Sequence, residues 1–138
     1  MSNTHKLKKL QQIPVVGGDV YHVLKASDPE FENFGEAYFS NVDSGVVKAW
    51  KRHKRMTLNL VVPKGEVRFV LANANKFETI IIGEKNYSLL TVYPGVWFGF
   101  QGLSIDTSLV LNLANVEHDN TEVDRCDVST FEFDWDRK

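Results

Sequence analysis

The sequence has little of several features that mark other classes of protein. Its single cysteine, Cys126, cannot form an internal disulfide, which favours a reducing, cytoplasmic location. No apolar run approaches the ~20 residues that span a bilayer. The lysines near the N-terminus are not followed by the apolar stretch of a signal peptide. We therefore expect a cytoplasmic protein with no membrane segment.

The sequence also has no large excess of charge of either sign. Lys and Arg number 16 against 18 Asp and Glu, so the net charge is −2. This balance offers no broad basic surface, and we expect no nucleic-acid partner. The length of 138 residues, 43% of them hydrophobic, suits one domain with its own core. We predict a single domain over residues 1–138.

Short runs rich in β-branched and aromatic residues recur along the chain, separated by turn signals such as Pro94-Gly95. Many short strands at a spacing of ~8–12 residues indicate a sandwich or small barrel. Patterns that allow a helix are confined to residues 4–12 and 120–125, and both are short. We predict an all-β protein with strands in residues 35–42, 46–62, 66–72, 77–82, 88–93, 96–100 and 108–114.

Two motifs resemble the signatures of cupin barrels. The first signature has the form G-x5-H-x-H-x4-E-x6-G, and the second contains P-x-G-x2-H. The resemblance implies a double-stranded β-helix jelly roll, the cupin barrel. Gly45, Lys51, His53, Leu58 and Gly65 occupy the positions of the first signature, and Phe98 replaces the histidine of the second in Tyr93-Pro94-Gly95-Val96-Trp97-Phe98.

The cupin metal positions are mostly filled by residues that cannot ligate a metal. Lys51, Leu58 and Phe98 occupy three of the four positions, and only His53 keeps a ligand side chain. One histidine without a carboxylate holds a divalent cation poorly. We predict no metal and no other cofactor.

Four segments resemble metal-free cupins, the dTDP-4-dehydrorhamnose 3,5-epimerases and the dTDP-sugar 3,4-ketoisomerases. The resemblance implies a homodimeric isomerase whose substrate is a nucleotide-linked 4-keto-6-deoxyhexose. It implies a reaction through an enolate, in the synthesis of deoxysugars and polysaccharide precursors. The segments are GVVKAW at 45–50, RHK at 52–54, YPGVWFGF at 93–100 and FEFDW at 131–135.

His53 is the best candidate for the base, because the unperturbed imidazole pKa lies near 6.5. Strand alternation places Val47, Ala49, Lys51 and His53 on one face, and Lys48, Trp50 and Arg52 on the other. Lys51 would then stabilise the enolate and depress the pKa of His53. The alternative is a surface histidine in a basic edge strand.

Two further catalytic residues follow from the resemblance. It implies Tyr38 as a proton donor, for which the alternative is core packing. It also implies Asp127 as the carboxylate that orients the base.

The basic segment 48–55 supplies candidates for substrate binding. Lys48 and Arg52 would hold the diphosphate, although charged side chains also solvate exposed strands. Trp50, Tyr93 and Trp97 are candidate contacts for the base or the sugar, and ordinary barrel aromatics would look the same.

The chain also departs from the epimerases. Lys51 stands where they carry their base, and the region 110–112 lacks their tyrosine. Three outcomes stay open. The protein epimerises one centre, or it is a 3,4-ketoisomerase, or it is an inactive cupin that binds a sugar nucleotide or a protein partner.

Overall fold

The computed structural model describes residues 3–74 and 76–137, and nearly all of its regular structure is β-strand. In those ranges the helical elements are two single 3-10 turns, Asn120–Glu122 and Val128–Thr130. The described residues contain no helix with the length and apolarity to cross a membrane. The strands are β1 (His5–Lys9), β2 (Gln12–Ile13), β3 (Val20–Tyr21), β4 (Glu36–Val42), β5 (Val47–His53), β6 (Leu58–Lys64), β7 (Glu66–Asn73), β8 (Lys76–Gly83), β9 (Ser88–Val92), β10 (Trp97–Gly102), β11 (Ser108–Ala114) and β12 (Val123–Arg125).

The strands form two five-stranded sheets and one small hairpin. The first sheet has the order β1-β9-β6-β11-β4, and the second has the order β12-β5-β10-β7-β8. The hairpin consists of β2 and β3. Every pair within the sheets is antiparallel. This arrangement confirms the predicted all-β jelly roll.

The main core lies between the two sheets. Leu58, Leu60 and Val62 project from β6 at every second residue, and Val67 and Phe69 project from β7 in the same way. This two-residue period is that of side chains alternating across a pleated strand. Chain segments cover the outer faces, the N-terminal part on the first sheet and residues 126–137 on the second.

The predicted turn at Pro94-Gly95 holds the end of β5. Gly95 has a φ of 88°, which is unfavourable for residues with a Cβ. Its N–H donates to the carbonyl of His53 across 2.7 Å. The turn therefore fixes the backbone at the histidine that the sequence singles out.

Residues 4–12, whose pattern allows a short helix, instead contain strand β1. Residues of β1 pair with β9 at the edge of the first sheet, so tertiary pairing overrides a short local preference. Lys6 and Lys8 then reach Glu30, whose side chain is almost fully buried. Burial alone would raise the pKa of Glu30, but hydrogen bonds from the two lysines lower it to about 2.

Candidate active site

Strand β5 carries most of the predicted site residues, and it does not alternate regularly. Its register with β10 skips Trp50, since Lys51 pairs with Phe98 while Ala49 pairs with the next residue of β10. Because of this bulge, Lys48 lines the same cleft as Lys51. Ala49 packs with Trp50 against the outer-face cluster. The predicted faces of Lys48 and Ala49 are therefore wrong.

His53 is buried at the end of β5, beside the carboxylate of Glu122. The imidazole is 3% exposed and Glu122 is 2% exposed. Nδ1 of His53 bonds Oε1 of Glu122. The other oxygen, Oε2, accepts from the backbone N–H groups of Arg55 at 2.9 Å and Met56 at 3.1 Å. The pairing of β12 with β5 brings Glu122 here, because its neighbour Val123 lies opposite His53.

The charges of this pair indicate a neutral imidazole beside an ionised carboxylate. Burial lowers the pKa of His53, against the opposing effect of Glu122. Burial alone would raise the pKa of Glu122, but the hydrogen bonds from His53 and from Arg55 and Met56 N–H leave it below its usual value. A carboxylate only accepts, so Nδ1 carries the proton and Nε2 keeps its lone pair.

The free nitrogen of His53 is placed to act as a base. Among residues 3–74 and 76–137, none bonds Nε2, although the atom is buried. Buried polar atoms are normally satisfied, so an unpaired one calls for a functional explanation. A neutral imidazole with a free Nε2 and a carboxylate on Nδ1 is the arrangement that general-base catalysis requires.

Tyr38 lies on β4, directly opposite Asn112 on β11. Its hydroxyl oxygen accepts a hydrogen bond from Nδ2 of Asn112 across 3.0 Å. Burial raises the pKa of Tyr38, partly offset by that bond, and the charges of Arg125 and Glu122 also act on it. The phenol thus keeps its proton at neutral pH, as a proton donor must.

A cationic cleft of about 440 Å³ opens beside these groups. Pockets of ~300–1,000 Å³ commonly hold small molecules. Lys48, Lys51 and Arg125 line it, and none of the described residues that line it is acidic. Burial lowers the pKa of Lys51, and the charges of Arg125 and Lys48 lower it further. Three cations without a lining carboxylate favour an anionic ligand.

His53 lies behind the wall of this cleft and is not itself one of the lining residues. The ring of His53 stacks on Phe98 with 6.2 Å between centroids, and Phe98 lines the cleft together with Lys51. The charge of Lys51 acts on His53, where it contributes to the lowered pKa. The ring of Phe98 therefore joins the buried base to the wall of the cleft.

Trp50 borders the cleft, but its side chain is buried and serves the structure. The side chain is 1% exposed, and its Nε1 donates to the carbonyl of Val128 across 3.0 Å. Phe131 and Trp135 pack on the ring with centroids 5.2 and 5.4 Å away. The indole lies on the outer face, as strand alternation predicts, and anchors the C-terminal segment, so the structure does not support it as a substrate contact.

Arg52 and Trp97 come together on the outer face of the second sheet. The guanidinium lies 4.6 Å from the centre of the Trp97 ring and pairs with Asp124 at 2.9 Å. Trp97 also packs against Phe131. Neither residue lines the cationic cleft, so the structure does not support either as a contact of a ligand held there.

Neither of the two remaining predicted residues lines the cleft. Asp127 is exposed, and its side chain accepts from the N–H of Ser129 at the start of the second 3-10 turn. The carboxylate on His53 belongs to Glu122, so Asp127 does not take the orienting position that the resemblance implied. Tyr93 is half-buried after β9, and its N–H donates to the carbonyl of Thr4.

Three residues of the site were not predicted from the sequence as functional. Glu122 precedes the three-residue strand β12 and Arg125 ends it, and a strand this short leaves no periodic pattern. Asn112 was noted only where the epimerase tyrosine is missing. The Asp119-x-x-Glu122 spacing, typical of a capped helical turn, is the one local signal that marks this segment.

Known proteins similar to this chain share its fold over most of its length. The solved structure of a dTDP sugar isomerase from Desulfovibrio desulfuricans is 37% identical with a TM-score of 0.89, covering 95% of this chain and 90% of the other. The sugar 3,4-ketoisomerase QdtA of Thermoanaerobacterium thermosaccharolyticum is 21% identical with a TM-score of 0.78, covering 91% and 90%. At that identity the likeness shows the fold alone.

Sequence comparison extends this relationship. The probable low-salt glycan biosynthesis epimerase Agl13 of Haloferax volcanii is 27% identical over 135 residues, which cover 90% of this chain and 86% of the relative. Residues 3–132 match the family described as FdtA: WxcM-like, C-terminal. With its jelly roll and its relatives among sugar-nucleotide isomerases, the chain belongs to this FdtA family of cupin-like proteins.

Proposed function

We propose that this protein isomerises a nucleotide-linked 4-keto-6-deoxyhexose through an enolate, in the formation of glycan or polysaccharide precursors. The observation that carries the proposal is the buried His53–Glu122 pair with a free Nε2, and a Tyr38 hydroxyl that keeps its proton supports it. The names of the relatives, a dTDP sugar isomerase and a glycan biosynthesis epimerase, support the substrate class.

The chemistry assigns one role to each group. Nε2 of His53 takes the proton from C3, and the electrons of that C–H bond form the enolate with the C4 ketone. Lys51 lies next to the base and supplies positive charge for the enolate oxygen. Tyr38 supplies a proton to the enolate. Lys48 and Arg125 hold the diphosphate in the cleft.

Among the possible reactions, we favour 3,4-ketoisomerisation. In that reaction the C3–H proton is removed and the O–H proton of C3 passes to the C4 oxygen, so C3 becomes a ketone, while C4 gains a proton on carbon and becomes a carbinol. One imidazole and one phenol are sufficient for this transfer, and the region 110–112 of β11 lacks the tyrosine that the resemblance to the double epimerases implies there. The runner-up is epimerisation at one centre, supported by the epimerase name of the archaeal relative.

Solvent-isotope exchange tests the proposal. The protein is incubated with dTDP-4-keto-6-deoxyglucose in deuterated water, and the sugar is analysed by NMR. Deuterium at C4 of a 3-keto product identifies ketoisomerisation, while deuterium at C3 or C5 of a 4-keto product identifies epimerisation. Saturable binding without any exchange would contradict catalysis and favour a binding protein.

The role of His53 is tested in the same assay. His53→Asn should reduce exchange by about 10²-fold or more, because the base is lost. The control is His22→Asn, which removes a histidine outside the site. Exchange that persists unchanged in His53→Asn would exclude this residue as the base.

We also propose that the protein forms a homodimer. The hairpin of β2 and β3 exposes five large apolar side chains, and a two-stranded hairpin is only marginally stable alone in water. A second copy could cover it, and an apolar pocket of about 180 Å³ beside Phe31 and Phe34 offers a receiving surface. The exposed side chains are Ile13, Val15, Val16, Val20 and Tyr21.

A further inference from the structure

Asn112 lies buried in the lumen with half of its amide unsatisfied. The residue is 1% exposed, and Nδ2 donates to the hydroxyl oxygen of Tyr38 at 3.0 Å. The same nitrogen lies 4.0 Å from Sδ of Met56, a weak acceptor, which supports this orientation of the amide. Oδ1 has no hydrogen-bond partner among residues 3–74 and 76–137.

The bond from Asn112 decides where the proton of Tyr38 points. A phenol has one O–H donor, and its oxygen can accept from another group. Because the oxygen already accepts from Nδ2, the Tyr38 proton cannot be directed at Asn112. No other described residue accepts from this hydroxyl. The proton is therefore free for a group that enters the lumen.

The unsatisfied Oδ1 of Asn112 also points to a group that enters the lumen. A buried acceptor that is left unpaired destabilises the fold. Val110, two residues earlier on the same face of β11, packs in the apolar core, so an apolar residue is readily accommodated on this face of the strand. A donor on Tyr38 and an acceptor on Asn112, held together by one bond, complement a ketone and a hydroxyl on neighbouring carbons.

We propose that Asn112 is a positioning residue that directs the Tyr38 proton toward the sugar and accepts a hydrogen bond from a hydroxyl beside the ketone. The inference rests on the proposed function. It assigns to β11 a role in recognising the hydroxy-ketone unit of the substrate. The amide would act on turnover through Tyr38 and on affinity through Oδ1.

Two substitutions separate these contributions. Asn112→Asp retains an acceptor but removes the N–H donor, so Tyr38 would donate to the new carboxylate. Product formation should fall by about 10²-fold, with KM changed little. Asn112→Leu removes both contacts and should also raise KM by about tenfold. In both variants His53 still forms the enolate, so deuterium should continue to enter C3 of the recovered substrate.

The matched control is Asn59→Asp. Asn59 is a buried asparagine on the opposite face of the same sheet, where it bonds Thr91 and the carbonyl of Glu30. This variant should keep the native ratio of exchange to product. If product formation and KM in both Asn112 variants equal those of the native protein, the inference is overturned while the proposed function stands.

A second measurement does not depend on the sugar. The four tyrosines can be labelled with ¹³C at Cζ and titrated by NMR, with Tyr38→Phe assigning the signal of Tyr38. The bond from Asn112 lowers the pKa of Tyr38, so Asn112→Leu should raise it. An unchanged Tyr38 titration in Asn112→Leu would overturn the inference, whether or not the native protein shows isotope exchange. An absence of exchange in the native protein would count separately against the proposed function.

Discussion

Burial favours the neutral form of the titratable side chains around the proposed base, and only for Glu122 do hydrogen bonds reverse that effect. It lowers the pKa values of His53 and Lys51 and raises that of Tyr38. Glu122 stays ionised, because three hydrogen bonds to its carboxylate outweigh its burial. One fixed negative charge therefore sets the tautomer of His53, while the base and the acid keep the protonation states that their roles require.

The lowered pKa of His53 predicts the pH dependence of the reaction. The active base is the unprotonated imidazole, so kcat/KM should fall as the pH drops through the pKa of His53. That pKa lies below the ordinary value of 6.5, so activity should persist to more acidic pH than for a solvated histidine. A pH profile of kcat/KM measures it, and an acid limb centred above 6.5 would contradict the prediction.

Glu122→Gln should disable the base without removing it. A glutamine amide can donate to Nδ1, which would place the proton on Nε2 and remove the lone pair that takes the C3 proton. We expect kcat/KM to fall by about 10²-fold or more. Asp127→Asn is the control, since Asp127 bonds Ser129 away from His53, and it should retain nearly native kcat/KM. Equal losses in both variants would show that Glu122 has no special role.

At the scale of the element, the bulge in β5 decides which side chains reach the cleft. Regular alternation would separate Lys48 from Lys51, and the extra residue at Trp50 brings them together. Gly99 makes this packing possible, because a Cβ there would lie 2.5 Å from Cβ of Ala49. Strand positions were largely predictable from the sequence. A bulge follows from contacts between strands, so the sequence alone did not predict which residues of β5 share a face.

Gly99→Ala should therefore destabilise the fold. The added methyl group has no room against Ala49, and overpacking of this kind costs about 1–3 kcal/mol of unfolding free energy. Urea denaturation measures the loss. The double variant with Ala49→Gly removes the closest contact and should recover part of the stability. A Gly99→Ala protein as stable as the native one would show that the bulge is not tightly packed.

At the scale of the whole molecule, the two sheets are covered differently on their outer faces. The C-terminal segment closes the second sheet through Phe131, Phe133 and Trp135, and Arg68 holds the carbonyls of Trp135 and Arg137. The N-terminal segment covers only part of the first sheet, and Phe34 and Phe39 there are each 65% exposed. The apolar surface left on that side is where we place the second copy.

The homodimer proposal predicts a specific loss of assembly. Val16→Asp puts a charge on the exposed hairpin and should shift the protein from twice the monomer mass to the monomer mass in light scattering after size exclusion. Ile105→Asp, in an exposed loop away from the hairpin, is the control and should not change the mass. A native protein that is monomeric at every concentration would disprove the proposal.

The strands, the turn at Pro94-Gly95 and the candidates His53 and Lys51 follow from local features: two-residue periodicity, turn chemistry and a cupin-like spacing. Tyr38 follows only from the family resemblance. Asp127 was implied in place of Glu122, and neither Arg125 nor the contact of Asn112 with Tyr38 was foreseen. The His53–Glu122 and Tyr38–Asn112 contacts join residues that lie 69 and 74 positions apart along the chain. Only the folded barrel decides them, because long-range strand pairing and a bulge determine which distant side chains share its dry interior.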